Sequence, residues 1–190
     1  MDRQGFSKQY FQSLCVVLQH LPLDDWERVL RRLETAFIQQ QTVFIIGNGG
    51  SAATASHMMN DLMLGVAQGG KRGFRAIALT DNMPVLTATA NDLSYRDIFS
   101  TPLRTLGRAG DVLIAISGSG NSPNVIEAVH VAREVGMTTI GFLGMGGGKL
   151  KAVVDESIIV PSHDYGPIED IHLILDHVMM AYFKRWQSPE

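Results

Sequence analysis

Two hydrophobic periods divide the chain. Up to residue 40 apolar positions recur at helical spacing, first as Phe6, Tyr10, Leu14, Val17, Leu18 and Leu21, then as Trp26, Val29, Leu30, Leu33, Phe37 and Ile38. Pro22 punctuates the two runs, and Asp24 or Asp25 can cap the second helix. Stripes of this kind read as core or subunit interface. Beyond residue 40 short apolar runs take over, at 42–46, 75–80, 111–117, 138–143 and 156–160. Helical sequence follows at 52 to about 64, 84–90, 123–135 and 168–186. A run such as TVFII at 42–46 predicts a strand buried on both faces. Strands alternating with helices predict right-handed βαβ units, hence a parallel sheet covered on both sides.

Composition changes this picture little. The 190 residues suffice for one domain with a full core. At 45% hydrophobic and 18% charged they show a globular balance. A net charge of −3 without any long basic run argues against nucleic acid or an anionic membrane as partner, though not against a small anion held by local dipoles. The single cysteine, Cys15, forbids an intrachain disulfide and reads as a small core residue. No signal peptide or apolar run of about 20 residues is present, so the default address is cytoplasmic.

The chemistry concentrates in two loops. Gly47-Asn48-Gly49-Gly50-Ser51 and Ser117-Gly118-Ser119-Gly120-Asn121-Ser122 each follow a predicted strand and open a helix. In open α/β sheets ligands bind there, and a helix N-terminus offers unpaired N–H groups to an anion. Glycine lets the backbone approach closely, and serine adds donors without bulk. Asn48, Gly49, Gly50 and Ser51 are the candidates in the first loop, and Ser117, Gly118, Ser119, Asn121 and Ser122 in the second. Neither loop ends in the Lys-Ser/Thr of a nucleotide P-loop or matches GxGxxG with a following acid, which favours a monophosphate. A third glycine cluster, 144–149, lacks serine and reads as a turn.

Strand–GNGGS–helix, AND at 90–92, GDVLIAISGSGNSPNVIEA at 110–128 and EDIHLILDH at 169–177 together resemble the SIS (sugar isomerase) family, closest to its sedoheptulose 7-phosphate isomerase branch. The resemblance implies one SIS domain over 1–190, with 1–40 as a helical interface segment and 41–190 as the α/β core. It implies a three-layer αβα sandwich on a five-stranded parallel sheet, and a homotetramer with active sites at subunit interfaces. By resemblance Ser51, Ser117, Ser119 and Ser122 grip the phosphate beside Asn48, while Asn91 and Asp92 lie near the sugar. A zinc ion falls to His57, Asp61, Glu169 and His177, and the acid–base work to Asp61, His177 and Glu169.

His57 and Asp61 share a helix face at i, i+4, whereas Glu169 and His177 differ by roughly 80° in direction and converge only on a ligand beside their helix. Three positions depart from the family. Asp61 stands where the family has glutamate, Glu169 where it has a glutamine ligand, and Gly166 where it has aspartate. A base shortened by one methylene leaves three outcomes open: heptose isomerisation with rearranged roles, action on a related sugar phosphate, or a phosphate site without turnover. The last matches a SIS tetramer that associates with the bacterial replication initiator; retention of both His57 and His177 favours an enzyme. His172 reads as structural, with Asp176 one turn on as its pairing partner.

Overall fold

The computed structural model describes residues 2–187. Two helices, α1 (Arg3–Gln19) and α2 (Leu23–Ile38), precede an alternating core. That core runs β1 (Thr42–Gly47), α3 (Gly50–Asn60), β2 (Arg75–Ala78), α4 (Met83–Asp92), α5 (Ser100–Leu106), β3 (Val112–Ser117), α6 (Pro123–Val135), β4 (Thr138–Leu143), β5 (Glu156–Ile159) and α7 (Tyr165–Trp186). The five strands form one parallel sheet in the order β2-β1-β3-β4-β5. β3 and β4 are buried along their whole length, as a sheet covered on both faces requires. Residues from α2, α3 and α7 pack one face around Trp26, Ile45, Met58, Ile114, Phe142 and Phe183; residues from α5 and α6 pack the other around Phe44, Phe99, Leu103, Leu113 and Val129.

The alternation therefore gives the layers expected, with strand ends within one or two residues. Two local readings change. The cap of α2 falls on Pro22 without a side-chain hydrogen bond, and Asp24 and Asp25 lie inside the first turn, where their charge meets the helix dipole. Cys15 is exposed. α1 buries none of its residues fully, because it lies on α7 along one edge only: Leu14, Val17, Leu18 and Leu21 touch the core, while Phe6, Phe11, Cys15 and Val16 face outward. α5 is additional; seven residues with an internal proline carry too little periodicity to be read. Among the described residues no helix is long and apolar enough to cross a membrane.

His172 does not pair with Asp176. It is wholly buried, its ring edge-on to Phe142, with Nε2 3.3 Å from the Leu143 carbonyl oxygen and Nδ1 unpartnered. Burial holds its pKa down at about 4, against a weaker opposing effect of the Leu143 carbonyl. A depressed histidine contributes stability that is complete above its unfolded pKa near 6.5 and is lost as pH falls toward 4. At about 1.4 kcal/mol per pH unit, the loss amounts to about 3 kcal/mol. Urea unfolding at pH 7 and pH 4.5 checks this by difference: between those values wild type should lose most of that amount relative to His172→Asn, the contributions of other groups, Asp176 among them, cancelling in the comparison.

Candidate active site

The strand order places the site. β1 and β3 are neighbours although α3, β2, α4 and α5 separate them in sequence, so their carboxyl ends lie side by side at the point where the connections diverge. The two glycine-serine loops leave from these ends. Asn48 and Asn124 tie them together by reciprocal amide bonds, Asn48 Nδ2 to Asn124 Oδ1 at 2.9 Å and Asn124 Nδ2 to Asn48 Oδ1 at 2.8 Å. The Tyr95 hydroxyl also donates to Asn48 Oδ1, at 3.0 Å. Between the loops lies a cleft of about 160 Å³ lined by Asn48, Ser51, Ser117, Gly118, Ser119, Ser122, Tyr165 and Glu169. Ser51 opens the first turn of α3 and Ser122 is the cap residue of α6, its hydroxyl unused by the cap, so two helix N-termini and four hydroxyls converge on one polar cleft.

The second loop is shaped from within and from behind. Ser117 Oγ accepts from the Gly120 amide at 3.1 Å, and Ser119 Oγ from the Asn121 amide at 3.2 Å. Gly120 has φ +65°, and a Cβ there would stand 2.0 Å from the Gly147 carbonyl oxygen. The glycine cluster after β4 is thus the turn expected of it, and it also buttresses the loop. Asn121 turns the same way: its amide donates to the Ser119 carbonyl at 2.9 Å and its oxygen accepts from the Lys149 amide at 3.1 Å. It lines no part of the cleft, and neither do Asn91 and Asp92, which are exposed at the end of α4 and bonded to each other at 2.8 Å.

α3 leads from the cleft to a second cluster. It runs beside α7 in the same direction, with Gly50 facing Glu169, His57 meeting His177 and Gly65 lying against Met180. At Asp61 the helix widens into a π turn, Asp61–Gly65, closed by the Val66 amide on the Asp61 carbonyl at 2.9 Å. His57, Asp61, Asp176 and His177 each bring one donor atom within 4.8 Å of the others. His57 Nε2 and His177 Nε2 are 3.1 Å apart; Asp61 Oδ2 lies 3.6 Å from the first and 4.0 Å from the second. Asp176 Oδ2 is 3.9 Å from His57 Nε2. Burial, and then the charge of Asp61, push the Asp176 carboxyl up to about 7.

This set suits a divalent cation. Asp61 Oδ2 and both oxygens of Asp176 are buried without a hydrogen-bond partner, an arrangement that a cation would satisfy. Nitrogens bound tetrahedrally at about 2.0–2.1 Å stand about 3.3 Å apart, close to the separation of the two imidazoles. Of the four ligands expected from the sequence, His57, Asp61 and His177 come together and Glu169 does not. Glu169 leaves α7 two turns earlier, and its carboxylate stands over Gly50, where a Cβ would lie 2.3 Å from Oε2. The fourth group in the cluster is Asp176. Its signal was present in the sequence: Ile168, Ile171, His172, Leu175, Asp176, Met179 and Phe183 form one buried stripe of α7, and a carboxylate in such a stripe demands a partner. Asn124, Tyr95 and Tyr165 carried no comparable signal.

Comparison with known proteins agrees with this fold. The SIS domain family matches residues 9–144. The phosphoheptose isomerase of Paramagnetospirillum magneticum is 38% identical over 87% of this chain and 86% of that protein. Two solved phosphoheptose isomerases superpose over nearly the whole chain. That of Neisseria gonorrhoeae has TM-score 0.88 at 33% identity, covering 96% of this chain and 98% of the other. That of Francisella tularensis has TM-score 0.89 at 26% identity, covering 97% and 100%. With its paired glycine-serine loops at the β1/β3 switch point and this likeness along its length, the chain belongs to the SIS domain family, among relatives named phosphoheptose isomerase.

Proposed function

We propose that this chain is an aldose–ketose isomerase that interconverts D-sedoheptulose 7-phosphate and D-glycero-D-manno-heptose 7-phosphate, supplying heptose for surface polysaccharide. The observation that carries the reading is that one helix, α3, bears a phosphate-suited cleft at its N-terminus and the convergent His57 and Asp61 farther along. The names of the relatives supply the sugar. Ser51, Ser117, Ser119 and Ser122 hold the phosphate with the amide ends of α3 and α6. The chain of carbons then runs along α3 toward its π turn.

Isomerisation carries a proton between C1 and C2 through an enediol, while the two oxygens exchange theirs. Asp61 is the carboxylate placed to take and return the carbon proton, and His177, 4.0 Å from it, is placed to move the proton between the oxygens. Asp61 is largely buried, which favours proton transfer over exchange with solvent. A divalent ion, which we read as zinc, would be held by His57, Asp61 and His177 with a fourth ligand; with His177 Nε2 so engaged, the ion would polarise the sugar oxygens in place of proton transfer by that nitrogen. The purified protein supplied with zinc should consume sedoheptulose 7-phosphate and form the aldose, resolved by proton NMR; no turnover under these conditions would refute the reading.

The outward face of α1, with Phe6 56%, Phe11 63% and Val16 54% exposed, supports its assignment as an interface of a homotetramer. Sedimentation equilibrium should give four times the chain mass of 20.8 kDa. Phe11→Asp should shift it to smaller species.

A further inference from the structure

We propose that the divalent cation is held by a wholly protein-supplied set in which Asp176 is the fourth ligand, and that Glu169 belongs to the anion cleft instead. The assignment rests on the isomerase reading only for the presence of a cation near His57; the choice between the two acids stands on geometry.

Asp176 has no exposed surface, yet both its carboxylate oxygens lack a hydrogen-bond partner. A buried carboxylate in that condition is costly unless a cation or a donor compensates it. What it faces is three further donors, His57 Nε2 at 3.9 Å, Asp61 Oδ2 and His177 Nε2, all within 4.8 Å of one another. Asp61 brings a second unpartnered oxygen to the same point. Two acids turned toward each other repel when both are charged, and a shared cation turns that repulsion into attraction. Two imidazoles and two carboxylates make a four-ligand set that suits zinc and accepts manganese or cobalt.

Glu169 is placed for other work. It precedes His177 by eight residues, a rise of roughly 12 Å along α7, and its carboxylate lies against Gly50 at the head of α3. There it lines the serine cleft and meets the amide end of the helix. The two acids of α7 are thus divided along the helix, one at the phosphate end and one at the cation.

The test uses the full chain and its Asp176→Asn and Glu169→Ala variants, each stripped with chelator, reloaded with Zn²⁺ and desalted; alanine leaves no donor atom at 169. Bound zinc is read by mass spectrometry, affinity by a competing chromophoric chelator, and Tm with and without zinc. Wild type and Glu169→Ala should each retain one ion per chain with affinities within about threefold, and zinc should raise the Tm of both. Asp176→Asn should bind at least about a hundredfold more weakly, the upper end of what even indirect support of a metal is worth, and should lose the zinc-dependent rise in Tm. Loss of zinc by Glu169→Ala, or retention by Asp176→Asn, would overturn the assignment. If Asp176→Asn does not fold, as seen by circular dichroism, Glu169→Ala decides alone. Zinc binding without turnover would leave this assignment intact and refute the isomerase, whereas turnover with Glu169→Ala metal-free would do the reverse.

Discussion

The Asp61→Asn protein is expected to lose at least about a hundredfold in kcat while its affinity for inorganic phosphate stays within about twofold. General acid–base groups contribute about 10²–10⁴ to rate, and an amide of the same shape can neither take the carbon proton nor carry charge to a cation. The serine cleft, by contrast, sits at the other end of α3, 11 residues before Asp61, or roughly 16 Å of helix rise, and shares no hydrogen bond with it. Steady-state kinetics and calorimetric titration with phosphate separate the two effects. Stability adds a second signature. Without metal the variant should melt no lower than wild type, because it relieves the repulsion between Asp61 and Asp176, two buried acids with unpartnered oxygens. With zinc it should melt lower. A variant with wild-type kcat would remove Asp61 from the chemistry.

Gly120→Ala is expected to do the opposite, damaging phosphate binding and leaving the cation cluster alone. At φ +65° an L residue costs about 1–2 kcal/mol. The new methyl would also stand 2.0 Å from the Gly147 carbonyl oxygen and 2.5 Å from its carbon, both backbone atoms that no rotamer change can clear. The loop carrying Ser119 and Ser122 must therefore shift. Displacement by about 1 Å can cost about a hundredfold in a positioned site, so a rise in KM of tenfold or more should accompany a loss of about 2–4 kcal/mol in stability. Gly69→Ala is the control: it also has positive φ, at +77°, but lies outside both loops with open space where its Cβ would go, and should pay only the conformational cost. Denaturant unfolding and phosphate titration of both variants distinguish strain from collision.

The alternation of apolar runs and helical stripes was enough to place all five strands to within one or two residues, because a strand covered on both faces must be apolar throughout. The two loops were legible for a similar reason, since a close approach of backbone to an anion calls for glycine and serine wherever the sheet ends. Short or induced features were not legible. The π turn at Asp61–Gly65 has no composition of its own and coincides with Gly65 packed against Met180. The exposure of Cys15 follows from α1 touching the core along one edge, which no local pattern records. Asn124 looked like an ordinary residue of α6 until β1 and β3 became neighbours and brought Asn48 within 2.9 Å of it.

The sequence by itself determined the fold class and the phosphate-suited loops, since burial periodicity and turn chemistry are local properties of the chain. Which loops would meet was decided by the strand order β2-β1-β3-β4-β5, a long-range choice that makes one cleft of two separate motifs. The tertiary structure also decided which acid faces the histidines. Glu169 and Asp176 lie on one helix, and only the parallel docking of α7 against α3 sends the first to Gly50 and the second to His57. Helical spacing fixes the directions of side chains relative to one another, and it takes the neighbouring helix to fix what they point at.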